Sequence, residues 1–371
     1  MRRAVISFIN VASGRYRWWD EFPLMLGARL SAIGIEHVCF YREYEAASPQ
    51  PAEDRHPTPE GSLASAQWLE HNVRPVAGRY EQVILHTHGH YRPIELWRET
   101  RRHPRAQWFW TEHQISEPRR LDPLRKLGRC VGQRRGRFPT RVFGVSEAGA
   151  TRLKQQFSAS TVECIRTGIH VQDPVSWDGS NAGTVPRKAL FVGRLIAGKG
   201  IWPLLKAMVL LKEKGSEIHL TLVGRGMTDE VNAYIRDNNL LSHVTLAGHQ
   251  LDVEPYYREA DFVIIPTLVR EALGMVSLEA RRYALPVIYC NRGGLPETQI
   301  DGLTGLMLAS PTAEEIARAI LSLQSDPARY ARMRQRAPIG LDEFSIEKMV
   351  QSYVGQYESA LASFQSASLH R

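Results

Sequence analysis

Short apolar runs alternate with helical stretches along this chain, and they do so twice. In the first half AVISFIN, HVCFY, QVILHTH, AQWFWTE, RVFGVS and VECIRTG read as strands, separated by stretches such as FPLMLGARLSAIG with apolar residues at helical spacing. In the second half KALFVG, HLTLVG, VTLAG, DFVIIPT and LPVIYC repeat the pattern. Strands joined through helices run parallel and need cover on both faces. The predicted fold class is therefore α/β, with two Rossmann-like, doubly wound domains facing across a cleft; such sheets bind ligands at the carboxyl ends of their strands. A length of 371 residues fits, because one hydrophobic core seldom serves a chain that long. The stretch VQDPVSWDGSNAGTVPRK is rich in Pro, Gly, Ser, Asn and Asp and lacks periodicity, which places a linker near residues 171–187. The expected domains are 1–170 and 188–345. Residues 346–371 contain IEKMVQSYVGQYESALASF, an amphipathic helix whose stripe is expected to pack back on the first domain.

Composition removes several classes. Hydrophobic residues at 43% and charged residues at 23% describe a soluble globular chain. The longest apolar runs, such as FVIIPTLV, fall far short of the ~18 residues of a membrane span. The opening MRRAVISFIN reads as a first buried strand, because its apolar part is too short for a signal peptide and no small-residue cleavage site follows. Cys39, Cys130, Cys164 and Cys290 are scattered without a CxxC pair, which argues for reduced thiols, a cytoplasmic protein and no zinc site.

The net charge of +8 is unevenly distributed. Residues 1–170 carry 26 Lys and Arg against 17 Asp and Glu, a net of +9, and the remainder carries 21 against 22. The densest part runs from Arg119 to Arg141, with nine basic residues and one acid, Asp122. Leu121, Leu124, Leu127 and Val131 give it an apolar stripe, so Arg125, Lys126 and Arg129 are candidates to dock on an anionic membrane. A solvated arginine-rich helix is the alternative. Nucleic acid ranks last as a partner, since no aromatic residues are interleaved as a stacking platform.

The stretch FVGRLIAGKGI imitates an ATP-binding phosphate loop. Gly193, Gly198 and Lys199 have the spacing, yet the hydroxyl that would hold magnesium is replaced by Gly200. No two aspartates stand at i and i+2 anywhere, so a metal-bridging DxD site is missing too. A diphosphate would then be met by Arg194 and Lys199, a planar fork plus a point charge, with no metal. Further on, Glu271 and Glu279 are eight residues apart in REALGMVSLEARR. On one helix they would lie about 12 Å apart along the axis and about 80° apart around it, gripping two ends of an elongated ligand. Gly274, near that helix start, would open backbone amides to anionic oxygens.

Taken together, GRLIAGKG, LVGRG, YYREADFVIIPT, EALGMVSLEA, LPVIYCNRGGLPE and DGLTGLML resemble the donor-binding domain of the retaining glycosyltransferases of family 4, the glycosyl transferases group 1 with the GT-B fold. The resemblance covers roughly residues 188–360. It implies that Arg194 and Lys199 hold the donor diphosphate, that Glu279 binds the ribose hydroxyls, and that Glu271 contacts the transferred sugar. The amides of Leu273, Gly274 and Met275 would line the sugar and phosphate, beside Gly193. The first half is similar more loosely: VILHTHGH looks like the family's strand ending in histidine, and WFWTEHQ points to His113 as facing the donor sugar. Where the family often has a double glycine after the first strand, the loop here is NVASGRYRWWDEFP. Gly14 is the candidate for that role, with Arg15, Arg17 and Trp18 as acceptor contacts. Tyr283 and Ala284 replace residues that are small in the family.

His86, His88 and His90 alternate along a strand and would share a face as metal ligands, but no acid or cysteine stands nearby, so packing and hydrogen bonding at the cleft is the preferred role. The expected function is metal-independent, retaining transfer of a sugar from a UDP- or GDP-linked nucleotide-sugar donor, with no other cofactor, to a glycan or lipid-linked acceptor. The expected setting is cell-surface polysaccharide biosynthesis at the cytoplasmic, inner face of the membrane. The alternatives are an inactive sugar-nucleotide-binding scaffold of the same fold, a phosphorylase or epimerase, and, least favoured, an ATPase.

Overall fold

The structure is a computed structural model, and it describes residues 2–13, 17–44, 68–89, 93–103, 105–115, 139–157, 161–171, 177, 179 and 183–366. The chain divides into two compact units, Met1–His170 with Ser345–Arg371, and Val171–Phe344. Each is built on one six-stranded sheet in which every neighbouring pair is parallel.

The first unit contains β1 (Arg3–Ser13), β2 (Ile35–Tyr44), β3 (Gln82–His88), β4 (Ala106–Glu112), β5 (Arg141–Gly144) and β6 (Val162–Cys164), in the order β2-β1-β3-β4-β5-β6. Its helices include α1 (Arg17–Ala32), α2 (Pro93–Arg102) and α3 (Glu147–Lys154). Every residue of β3 is buried, which is why QVILHTH reads as a continuous run rather than an alternating one. The final helix, Ile346–Ser366, belongs to this unit. Its stripe of Ile346, Met349, Val350, Tyr353, Tyr357, Ala360 and Leu361 steps by three or four residues and packs with Val5, Ile84, Phe109 and Phe143 of the sheet and Phe22, Leu26 and Leu30 of α1. Each aliphatic side chain fully buried in this way contributes roughly 1.5–3 kcal/mol. Arg141, the last member of the basic run, is not a docking residue: it sits in β5 and donates to Ser359 Oγ (3.0 Å) and the Gln356 carbonyl (3.2 Å) of the final helix.

The second unit contains β7 (Lys188–Val192), β8 (His219–Val223), β9 (Val244–Gly248), β10 (Phe262–Ile265), β11 (Val287–Cys290) and β12 (Gly305–Leu308), in the order β12-β11-β10-β7-β8-β9. The strand β12 is absent from the sequence reading. It is four residues long, and it lies at the sheet's edge with Met307 exposed, which leaves little apolar pattern to read. The helices are α4 (Ile201–Glu213), α5 (Thr228–Asp237), α6 (Glu254–Glu259), α7 (Met275–Arg282), α8 (Ala313–Ser325) and α9 (Pro327–Arg336). One core joins Leu204, Leu205, Met208 and Leu211 of α4 to Ile316, Ile320 and Leu323 of α8. A second covers the other face with Tyr257, Ala280, Tyr283, Leu285 and Leu295. From β7 the chain builds outward to β8 and β9, then returns to place β10 on the other side of β7. The strand order therefore reverses between β7 and β10, and a crevice opens at such a point in sheets of this kind.

Candidate functional site

The reversal point brings together two residues that the sequence singles out separately. Lys199 follows β7 and Glu271 follows β10; Lys199 Nζ stands 2.6 Å from Glu271 Oε1. Both side chains are mostly covered, at 23% and 15% exposure, so solvent screens this charge pair less than one on the open surface.

Local backbone chemistry explains why Lys199 points here. Ala197–Lys199 form one tight helical turn, and Gly200 takes φ +77° before α4 begins. A Cβ at position 200 would lie 1.9 Å from the Pro266 carbonyl oxygen. Only glycine meets both demands. Serine or threonine cannot occupy position 200, so the stretch is no ATPase loop with a lost metal ligand. The loop is laced to the segment after β10 by the amides of Leu268 and Val269, which donate to the Gly198 carbonyl at 2.9 and 3.2 Å.

Glu271 departs from expectation. It does not share a helix with Glu279, because α7 starts at Met275; Glu271 lies in extended chain that bridges to Gly293. The Gly294 amide donates to its carbonyl at 2.8 Å. The eight-residue spacing is thus no helical repeat, and the predicted axial geometry does not apply. Gly274 precedes α7 at φ +109°, and an added Cβ there would meet a Leu295 methyl at 2.6 Å. The amides of Met275 and Val276 open α7 with no partner inside the helix, as at any helix start, while those of Ser277 and Leu278 donate to the Gly274 carbonyl.

Glu279 lies one helical turn further on, and its Oε2 accepts a hydrogen bond from the Tyr257 hydroxyl at 2.7 Å. Burial raises the Glu279 carboxyl above its ordinary value, while the Tyr257 hydrogen bond and the Arg282 charge act in the opposite direction. Behind this face, Arg281 is 2% exposed and donates Nε to the Ala337 carbonyl at 2.7 Å and its other nitrogens to the carbonyls of Thr298 and Ile339. Ser277, Thr298 and Gln299 add a buried hydrogen-bonded group at 2.6–2.7 Å. Sequence reasoning missed both anchors, since an arginine in a basic helix end gives no sign of facing three carbonyls. Arg194 is exposed beside Gly193, and Leu273 is buried.

In the first unit His86, His88 and His113 form a second group. His86 bridges Tyr357 Oη and Thr111 Oγ1 (2.8 Å), Thr111 reaches Tyr353 Oη at 2.9 Å, and His88 Nδ1 meets His113 Nε2 at 3.2 Å. Burial holds all three imidazoles below their ordinary value, His113 at about 3, so they are neutral near pH 7. Among the described residues no group of three His, Cys, Asp or Glu side chains is placed to hold a metal ion. Gly14, Arg15, His90, Arg125, Lys126, Arg129 and Cys130 lie outside the described residues, as does most of the basic segment; of Arg17 and Trp18 only the backbone, in α1, is described. Cys39, Cys164 and Cys290 are free thiols. No described helix is long and apolar enough to cross a membrane.

Two parallel six-stranded sheets with helical cover are the GT-B type of α/β fold. A solved glycosyltransferase from Rickettsia africae matches with a TM-score of 0.79 at 17% identity, over 97% of this chain and 99% of that one. Anabaena HepE in complex with UDP matches with 0.75 at 17% identity, over 96% and 100%. Residues 178–339 match the family described as Glycosyl transferases group 1. The lipopolysaccharide 1,2-N-acetylglucosaminetransferase of Salmonella typhimurium is 29% identical over 181 residues, which are 46% of this chain and 48% of that protein. The glycogen synthase of Mycobacterium tuberculosis is 31% identical over 181 residues, 47% and 42%. The matched segment thus spans less than half the length of these curated relatives.

Proposed function

We propose that the chain is a nucleotide-sugar-dependent glycosyltransferase that acts with retention of configuration and without a metal, on a glycan or lipid-linked acceptor. The observation that carries this reading is the Lys199–Glu271 pair at the point where the second sheet reverses, beside the start of α7. A cation and a helix start meet the charge of a diphosphate leaving group, and a neighbouring carboxylate accepts hydrogen bonds from sugar hydroxyls. Arg194 is the second cation, and Glu279 takes the ribose. In the reaction the bond from the anomeric carbon to the diphosphate oxygen breaks, its electron pair stays on that oxygen, and the acceptor oxygen bonds to the same face of the sugar. The acceptor proton passes to the departing diphosphate. Lys199, Arg194 and the α7 amides stabilise the charge that develops. His113 is a neutral ring and not a proton donor, since burial makes its imidazolium far too acidic to persist near pH 7.

Membrane docking through the basic segment from Arg119 to Arg137 and a place in cell-surface polysaccharide assembly at the cytoplasmic face complete the proposal; flotation with anionic liposomes at low salt tests the docking, and an absence of binding removes it. The central experiment measures nucleotide release from UDP-, GDP-, ADP- and dTDP-sugars, with and without EDTA, for the wild type and Glu271→Ala. Release from one donor, untouched by EDTA and lost in the variant, is the expected result. Release that stops with EDTA, or that survives Glu271→Ala, contradicts the mechanism.

A further inference from the structure

Glu279 is held by more than its own helix. Tyr257, in α6, is 1% exposed and directs its hydroxyl at Glu279 Oε2 across 2.7 Å. Its ring is stacked on Tyr283, with centroids 5.4 Å apart and planes inclined by 2°. The guanidinium carbons of Arg258 and Arg282 lie over the Tyr283 ring at 5.4 and 5.6 Å, and Arg258 is itself ion-paired to Glu254. The phenol therefore has little freedom to turn, and the carboxylate inherits that rigidity.

We propose that Tyr257 is the positioning residue for Glu279, and that its hydroxyl sets how strongly the protein prefers a ribonucleotide to a deoxyribonucleotide. This rests on the reading of Glu279 as the ribose contact. An ionised carboxylate offers about four lone-pair sites; the tyrosine occupies one on Oε2 and fixes the plane of the others, so that both oxygens present to a vicinal diol at once. Without the hydroxyl, the carboxylate turns about its terminal torsion, which is broad and roughly two-fold, and the diol contact loses its geometry. Burial also favours the neutral acid, and the tyrosine hydrogen bond opposes that, keeping the acceptor form available. Tyr257 touches no substrate in this account; it acts through Glu279.

The test is calorimetric binding of UDP and GDP, each beside its 2′-deoxy counterpart, to wild type, Tyr257→Phe and Glu279→Gln, with thermal melting of each protein. A hydrogen bond to a charged group is worth about tenfold or more in affinity, so the wild type is expected to favour the ribonucleotide it binds by about that factor. Tyr257→Phe is expected to bring the ratio close to that of Glu279→Gln, with little change in affinity for the deoxynucleotide. A wild-type ratio in Tyr257→Phe, with the ratio lost in Glu279→Gln, overturns the inference and leaves the ribose role of Glu279 intact. A ratio unchanged in Glu279→Gln, or no ribonucleotide bound by the wild type, overturns the ribose role and the inference with it. Should Tyr257→Phe not fold, Tyr283→Leu keeps the hydroxyl and removes its stacking partner: a reduced ratio supports the inference and an unchanged one overturns it.

Discussion

The two sheets carry polar side chains at comparable places, the carboxyl ends of strands beside a reversal in strand order, yet treat them in opposite ways. In the first unit His88 ends β3, next to the reversal between β1 and β3, and its surroundings are filled by Phe22 and Tyr353, with ring centroids 5.6 and 5.9 Å away. Its histidines are buried and neutral. In the second unit the corner between β7 and β10 is lined by glycine and by an ion pair that keeps partial contact with solvent. A corner packed with aromatic rings holds polar groups in one arrangement; a corner lined by backbone and an ion pair keeps its charged groups in partial contact with solvent. Strand topology alone does not make a binding site.

Acid breaks this comparison most severely. His86 and His88 must take up protons on unfolding below pH ~6.5, and their folded values are lowered, so stability present above that pH is lost as pH falls toward the folded values. Two buried groups that gain protons on unfolding act in the same direction, which makes this the largest effect expected. His37, lowered by burial to about 4, and His113 add in the same direction. Urea unfolding followed by tryptophan fluorescence should show the unit containing Trp108 and Trp110 weakening over this range; a midpoint independent of pH contradicts buried neutral histidines. Next in size, Gly200→Ser should destabilise the second unit by about 3 kcal/mol, from left-handed backbone strain and overpacking against Pro266. A melting temperature equal to wild type would show that the loop after β7 does not need glycine there.

Lys199→Ala and Arg194→Ala should each lower the transfer rate at least ~10-fold, since a charge-assisted contact is worth about 1.5–3 kcal/mol and 1.4 kcal/mol is a decade. Near-wild-type turnover in both removes the diphosphate assignment. The finest test is a cycle of Lys199→Ala and Glu271→Ala: residues in direct contact couple by about 0.5–3 kcal/mol, so the double variant should lose less melting stability than the sum of the singles. Additive losses would mean that the pair is too solvated to matter in the free protein.

Most strands were legible because a parallel sheet covered on both faces demands continuous apolar runs, and QVILHTH and DFVIIPT supply them. The short edge strand β12 was not, because an edge strand needs only one neighbour and tolerates Met307 in solvent. Arg194, Lys199 and Gly200 could be picked out as residue types suited to a diphosphate and Glu271 and Glu279 as a pair suited to an elongated ligand, while the sugar and ribose roles are what the family resemblance implies. Their arrangement was misread at one point: Glu271 looked helical because nothing in REALG reveals that the chain stays extended to pair with Gly293.

By itself, then, the sequence determined the α/β class, the two sheets, the amphipathic stripe of the final helix and the chemistry available after β7 and β10, since these depend on local periodicity and residue type. The tertiary structure alone decided that the stripe is buried among β3, β4, β5 and α1, that Arg281 is clamped by three carbonyls, and that Tyr257 reaches Glu279. Those outcomes depend on which segments distant in the chain meet, and that is set by the packing of whole faces, for which no short stretch of sequence carries the information.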